Sequence, residues 1–366
     1  MNNEPKHAVL VISPDPSVPG GVSAFVDMMK RHVTRSDIVS FYVGSSGRGG
    51  ENPLSVLWRL IVAPARLMRL VRRRLFDAVH LNPSFNAKAM IRDGLLLLAL
   101  RAAGYRRILF YIHGWDTGFY RTVARHALLR HLTAWLLNKA ALVTVLGDEF
   151  RQSLVALGVD PARIAVTRTM YEEPADMADA SSARPYILFL SRFDAEKGGR
   201  ELIQGFAGIA RAFPDIDLVM AGDGAEAASL RALADISGLA ARIRFPGYVG
   251  GAEKARLLRH CAIFALPTYY RSEAMPVAML EAMGAGKPLL VGAAGVIRSV
   301  VADGVNGVVL DNVTAHSVAA GLRRLLGDAE FAAAAAAHNR ATARARFAAG
   351  IVTGEIEVLY RKVAAC

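Results

Sequence analysis

The chain has 366 residues, which sets an expectation of two domains of roughly 150 to 200 residues each. Hydrophobic residues make up 53% of it and the mean hydropathy is +0.28, values that suit parallel sheets buried on both faces. Its two cysteines, Cys261 and Cys366, exclude a disulfide framework and a cysteine metal cluster, and fit a reducing compartment. Net charge is +12 and is uneven: residues 1–182 hold 23 Lys and Arg against 15 Asp and Glu, and the rest hold 21 against 17. No zinc-ligand spacing, aromatic RNA-binding stretch or heptad accompanies that charge, so no nucleic-acid partner is expected. A face toward anionic lipid and a merely solvated basic surface both fit it.

In chain order, short β-branched or apolar runs alternate with longer helical stretches, the pattern of parallel βα units. Strands are expected at residues 7–13, 38–43, 78–81, 108–113, 142–146 and 164–167. Helices are expected at 22–34, 54–75, 87–103, 120–139 and 148–157, the second of them kinked or split at Pro64. The small, acidic, proline-bearing segment 173–185 reads as a linker. Strands resume at 186–191, 218–221, 243–245, 263–266, 288–292 and 307–310, and the alanine-rich stretch 331–347 is a helix by propensity. The fold class is therefore α/β, with two doubly wound sheets, residues 1–172 and 186–350, facing each other across a cleft. A last helix near 351–366 crosses back to the first domain. Ligands of such sheets bind outside the carboxyl ends of the strands. The start of the chain shows no long apolar stretch of the signal-peptide kind, and residues 94–101 fall far short of the roughly 20 needed to span a bilayer. A cytoplasmic location is expected, with the protein peripheral to the inner face of the cytoplasmic membrane if the basic surface meets lipid.

Several strand-end segments carry candidate chemistry. Gly20 and Gly21 follow the first strand and open a helix, where free N–H groups and the helix dipole attract an anion. His113 follows a strand and precedes Gly114-Trp115-Asp116, a place from which a His can reach a sugar hydroxyl. Arg192 and Lys197 share one strand-to-helix loop and together can neutralise a diphosphate leaving group. Gly222-Asp223-Gly224 makes a tight turn that suits a nucleotide pocket and equally suits an ordinary turn. Glu273 is expected just before a helix beginning near Met275, with Glu281 two turns into it. Along one helix, about 12 Å would separate these carboxylates. That is too far for a hydrolytic pair, whose carboxyl groups lie about 5 to 10 Å apart. No G-x-S-x-G elbow, Walker loop or G-x-G-x-x-G is present.

Together PGGVS, YIHGWD, LSRFDAEKG, AGDG, FPGYV and SEAMPVAMLEAMGAGKP resemble, in this order, the retaining GT-B glycosyltransferases of glycosyltransferase family four. The resemblance covers most of the chain and implies transfer, with retention, of a sugar from a UDP- or GDP-sugar to an acceptor hydroxyl. Arg192 and Lys197 would bind the diphosphate together with Gly20 and Gly21, and Glu273 would hold sugar hydroxyls. The amides of Ala274, Met275 and Val277 would lie near phosphate and sugar, Glu281 would take the ribose, and His113 would approach the transferred sugar. Gly222, Asp223 and Tyr248, the last within residues 245–249, would line the nucleotide side. No cofactor and no metal are expected. Where the family often has a glycine-rich turn, this chain has Glu273-Ala274-Met275-Pro276, and Pro276 offers no N–H.

Segment 54–75 interleaves apolar residues with Arg59, Arg66, Arg69, Arg72, Arg73 and Arg74, a composition that suits a helix lying on anionic lipid. Arg101, Arg106 and Arg107 extend it. The acceptor expected from that reading is a polyprenyl-linked or other lipid-linked glycan of bacterial surface-polysaccharide synthesis. A sugar-nucleotide epimerase of the same fold and a non-catalytic subunit of a polysaccharide assembly are the alternatives.

Overall fold

The computed structural model describes residues 6–16, 20–44, 53–173, 184–270 and 273–366, and for 53–57 and 59 the backbone alone. Most of the expected linker, Pro19, Arg271, Ser272 and the Arg59 side chain lie outside the described residues. The chain forms two units, Met1–Met170 with Ala349–Cys366, and Tyr171–Ala348.

The first unit alternates β1 (His7–Ser13), α1 (Gly21–His32), β2 (Ser36–Tyr42), α2 (Pro53–Arg73), β3 (Ala78–Leu81), α3 (Ala87–Ala102) and β4 (Ile108–Tyr111). It continues with α4 (Thr117–Arg125), α5 (Ala127–Leu137), β5 (Leu142–Val145), α6 (Asp148–Leu157) and β6 (Ile164–Val166). The strands pair in parallel in the order β2-β1-β3-β4-β5-β6. Val9, Leu10 and Val11 are fully buried, as the centre of a sheet covered on both faces requires. Crossovers between parallel strands are right-handed. The chain runs outward from β1 to β2 and then returns past β1 to β3, so α1 lies on one face and α2, α3, α5 and α6 on the other. The contacts agree: α2 packs on α3, and α5 on α6.

Two details depart from the sequence expectation. The helix expected at 120–139 is two helices, because His126 takes an extended conformation between α4 and α5 (φ −105°, ψ 109°). Segment 53–73 is one continuous helix with Pro64 inside it rather than a split pair.

The second unit holds β7 (Tyr186–Leu190), α7 (Gly199–Ala207), β8 (Asp217–Ala221), α8 (Ala227–Ile236), β9 (Ile243–Gly247), α9 (Gly251–His260) and β10 (Ile263–Leu266). Then come α10 (Val277–Gly284), β11 (Leu289–Gly292), α11 (Ile297–Val300), β12 (Gly307–Leu310), α12 (Ala315–Gly327) and α13 (Ala329–Arg346). Its strands are parallel in the order β12-β11-β10-β7-β8-β9. The strand order reverses between β7 and β10, so the loops leaving their carboxyl ends diverge and open a crevice there.

The closing helix α14 (Ala349–Ala364) belongs to the first unit and packs on α1, β1, β3 and β4. The buried Glu357 carboxylate accepts from the amide of Thr34 at 3.0 Å and from that of Arg35. The Tyr360 hydroxyl meets His80 Nδ1 at 2.7 Å.

Candidate active site

In the second unit, the β7 and β10 loops bring two expected residues together at the point where the strand order reverses. After β7 the chain makes one 3-10 turn, Ala195–Lys197, and leaves it through Gly198 in the left-handed region (φ 78°). A Cβ at Gly198 would stand 2.1 Å from the carbonyl oxygen of Pro267, so only glycine lets this turn press against the end of β10. The consequence is a contact across 76 residues of sequence. Lys197 Nζ donates to Glu273 Oε2 at 2.6 Å, with both side chains 9% exposed. Thr268 Oγ1 donates to the same oxygen at 3.0 Å. The Tyr270 ring lies 4.5 Å from Lys197 Nζ, where its π face attracts the ammonium.

This packing leaves specific atoms open. Glu273 Oε1 has no partner among the described residues, although the carboxylate is buried. Lys197 has three N–H donors and gives one to Glu273. Helix α10 starts at Val277, with Pro276 extended in front of it, and not near Met275. Glu273 lies before the helix, as expected, and because the intervening residues are not helical the separation of about 12 Å along one helix does not apply. The amides of Ala274, Met275 and Val277 make no hydrogen bond among the described residues. Three donors therefore follow one carboxylate, beside a helix start that favours negative charge.

The other donor-side candidates sit around this pair. Arg192 is 68% exposed and pairs with Asp194 at 3.2 Å, a surface contact that an anion can exchange at little cost. Glu281, on α10, is buried and accepts from Lys254 Nζ of α9 at 2.5 Å. Burial pushes its carboxyl above the usual range, and Lys254 opposes that shift without cancelling it. The Gly222 turn has a structural reason of its own: a Cβ there would stand 1.9 Å from Ser191 O, and Phe193 donates its amide to Asp223 O at 2.8 Å. This turn buttresses the loop that carries Arg192, and Asp223 itself is exposed. Tyr248 is 76% exposed just beyond β9, and its ring can stack on a flat ligand.

In the first unit, Gly20 and Gly21 are exposed, and a Cβ at either would meet nothing. Helix α1 has no side-chain cap, and its first N–H groups make no hydrogen bond among the described residues. His113 follows β4, its ring edge-on to Phe25 and stacked on Tyr111. Its Nε2 lies 2.8 Å from Asn82 Oδ1, and Asn82 Nδ2 donates to Ile12 O at 3.0 Å. That second bond fixes the amide orientation and assigns the His113 proton to Nε2, which leaves Nδ1 as an acceptor. Burial pushes the His113 pKa down to about 3, so the ring is neutral.

With this geometry in place, the comparisons decide the family. The model for Glycosyltransferase Family 4 matches residues 6–170 and that for Glycosyl transferases group 1 matches residues 176–342, one on each half of the chain. The chain belongs to glycosyltransferase family four. Among characterised relatives, the GDP-mannose-dependent α-(1-6)-phosphatidylinositol monomannoside mannosyltransferase of Mycolicibacterium smegmatis is 26% identical, over 89% of this chain and 91% of that protein. The α-D-kanosaminyltransferase of Streptomyces kanamyceticus is 24% identical over 98% of this chain and 95% of its own length. Two solved structures share the fold. Sucrose-phosphate synthase from Thermosynechococcus elongatus has a TM-score of 0.79 at 18% identity, covering 98% of this chain and 100% of its own. Anabaena HepE in complex with UDP-glucose has a TM-score of 0.74 at 19% identity, covering 96% and 98%.

The fold is GT-B, and the chain is a nucleotide-sugar glycosyltransferase. What sequence reasoning missed in this glycosyltransferase are the partners of its candidate residues: Asn82 for His113, Thr268 and Tyr270 for the Lys197–Glu273 pair, and Lys254 for Glu281. For Thr268 and Tyr270 a signal existed, since both fall within residues 267–288. Lys254 and Asn82 lie on other elements and carried none.

Proposed function

We propose that this glycosyltransferase moves a sugar with retention from a UDP- or GDP-sugar to a hydroxyl of a lipid-linked glycan in bacterial surface-polysaccharide synthesis. The observation that carries the reading is the buried Lys197–Glu273 pair, with one carboxylate oxygen and the following amides unpartnered among the described residues. A carboxylate held in that way accepts hydrogen bonds from sugar hydroxyls. The adjacent ammonium and Arg192 meet the negative charge that grows on the leaving diphosphate. On this reading a phosphate oxygen takes the acceptor proton while the glycosidic bond to it breaks and the new one forms on the same face. The two cations carry the electrostatic load that a metal carries in other transferases. His113, neutral, accepts a sugar hydroxyl at Nδ1, and Glu281 takes the ribose diol. Gly20 and Gly21 complete the diphosphate cradle, and Tyr248 and the Gly222-Asp223 turn line the nucleotide side.

The basic first unit and the lipid acceptor named for the M. smegmatis relative support the acceptor class. On this reading segment 54–75 meets an anionic membrane surface, peripherally and on its cytoplasmic side. The test is product analysis with a polyprenyl-linked sugar and UDP- or GDP-sugars. Nucleoside diphosphate released only with acceptor, and a product with the donor's anomeric configuration, is the expected result. Release without acceptor, or an inverted product, refutes it.

A further inference from the structure

Helices α2, α3 and α5 cover one face of the first sheet, and their outward sides are apolar where a surface helix is ordinarily polar. On α5, Ala134 and Leu137 are buried, while Leu128, Leu132 and Trp135 repeat at helical spacing toward solvent, 69%, 47% and 44% exposed. On α3, Ile91 and Leu95 do the same one turn apart, and on α2 so do Trp58 and Ile61. The three helices are continuous: α2 packs on α3, and α3 meets α5 at Gly94, where a Cβ would lie 2.8 Å from Leu136 Cδ2. An apolar patch spread over neighbouring helices marks an interaction surface.

Charge identifies the occupant. In α2 to α5 the single acidic residue is Asp93, buried and bonded to Arg92. Exposed cations lie on the same helices or beside them, among them Arg66, Arg69, Lys88, Arg125 and Arg130, and Lys139 Nζ sits 5.0 Å over the Trp135 ring. A second copy of this chain would set this cationic face against itself, and a nucleic acid has no use for the leucines. Aliphatic and Trp side chains among Arg and Lys, with no exposed acid, match the boundary of an anionic bilayer.

We infer that the combined outer face of α2, α3 and α5 is the membrane-docking surface, with α5 inserting Leu128, Leu132 and Trp135 at the interface of an anionic bilayer. This deepens the membrane part of the proposed function, moving its centre from the arginines of α2 to a three-helix face. It also ties docking to the site, because α4 joins α5 to the loop that carries His113.

The test is co-sedimentation of the full chain with vesicles of phosphatidylcholine alone or mixed with phosphatidylglycerol. Wild type binds the anionic vesicles at least about 100-fold more tightly than the neutral ones. The combined R125Q, R130Q and K139Q variant loses roughly 100-fold on the anionic vesicles. The combined L128Q, L132Q and W135Q variant loses binding while keeping its melting temperature and nucleotide-induced thermal shift. None of these side chains is in the core, and a single L128Q variant, at the most exposed of the three, repeats the test with the fold kept. Equal binding to both vesicle types, no binding, or binding untouched by the α5 variants overturns the inference. So does a wild-type dimer that the apolar variant makes monomeric. No sugar is transferred in the assay, so its failure is distinct from failure of the proposed reaction.

Discussion

Replacing Lys197 by Met tests the centre of the second unit. The variant keeps the aliphatic stem but removes the ammonium from a pair whose side chains are each 9% exposed. Removing one partner of a buried pair costs about 3–5 kcal/mol, because the remaining charge stays desolvated. Thr268 still donates to Glu273 Oε2, so the lower end applies, about 3 kcal/mol. For a unit the size of Tyr171–Ala348, that lowers the melting temperature by about 6–12 °C. K197M combined with E273Q leaves no buried charge and should recover much of the loss, so the two effects are not additive. Differential scanning fluorimetry of wild type, K197M, E273Q and the double variant reads this directly. Turnover should fall by about 100- to 1,000-fold in every variant that lacks the ammonium, including the thermally recovered double. A K197M melting temperature within 1 or 2 °C of wild type, or a double variant no better than additive, would refute the buried-pair reasoning.

Three further outcomes follow from the same contacts. Glu281 is pushed above the usual carboxylate range, so its contribution is fully present below the unfolded pKa and is lost as pH rises through the folded one. E281Q should therefore match wild type in thermal stability near pH 4 and equal or exceed it near pH 7, yet bind nucleoside diphosphate at least tenfold more weakly; a variant less stable at pH 7 contradicts this. His113 has its pKa depressed to about 3, so its contribution is present above the unfolded value and lost as pH falls below about 6.5, by about 1.4 kcal/mol per pH unit. H113Q should flatten the acid limb of stability measured by urea titration at pH 7, 6 and 5, and an unchanged limb counts against it. G198A brings a Cβ 2.1 Å from Pro267 O in a left-handed residue, which should cost about 3 kcal/mol and weaken donor binding by displacing Lys197. Unaltered stability and affinity in G198A would contradict the role of that turn.

Much of this architecture was legible because buried parallel strands are short apolar runs with helices between them. His7–Ser13, Ala78–Leu81, Ile263–Leu266 and Gly307–Leu310 coincide with their expected spans. Helix interiors were less legible. The sequence around His126 holds no Pro or Gly, yet the helix breaks there, while Pro64 sits inside one unbroken helix. Pro276 is extended and moved the start of α10 from near Met275 to Val277, while Glu273 lies ahead of the helix as expected.

In the site, Glu273, Lys197 and His113 stood out as residue types in the segments that follow strands, and Glu281 on the helix after Glu273. Their electrostatic settings did not, because each depends on a partner brought from elsewhere. Glu281 meets Lys254 across 27 residues and His113 meets Asn82 across 31. The exposed apolar side of α5 was equally hidden, since Leu128 and Leu137 are the same residue type and only packing on the sheet separates outward from inward.

The most direct test of the account is calorimetric titration of UDP and GDP into wild type, R192A and K197M. The account predicts one nucleoside diphosphate site in the wild type, with affinity lowered at least tenfold in each variant. No binding of either nucleotide, or equal affinity in all three proteins, would contradict a donor site built on Arg192 and the Lys197–Glu273 pair.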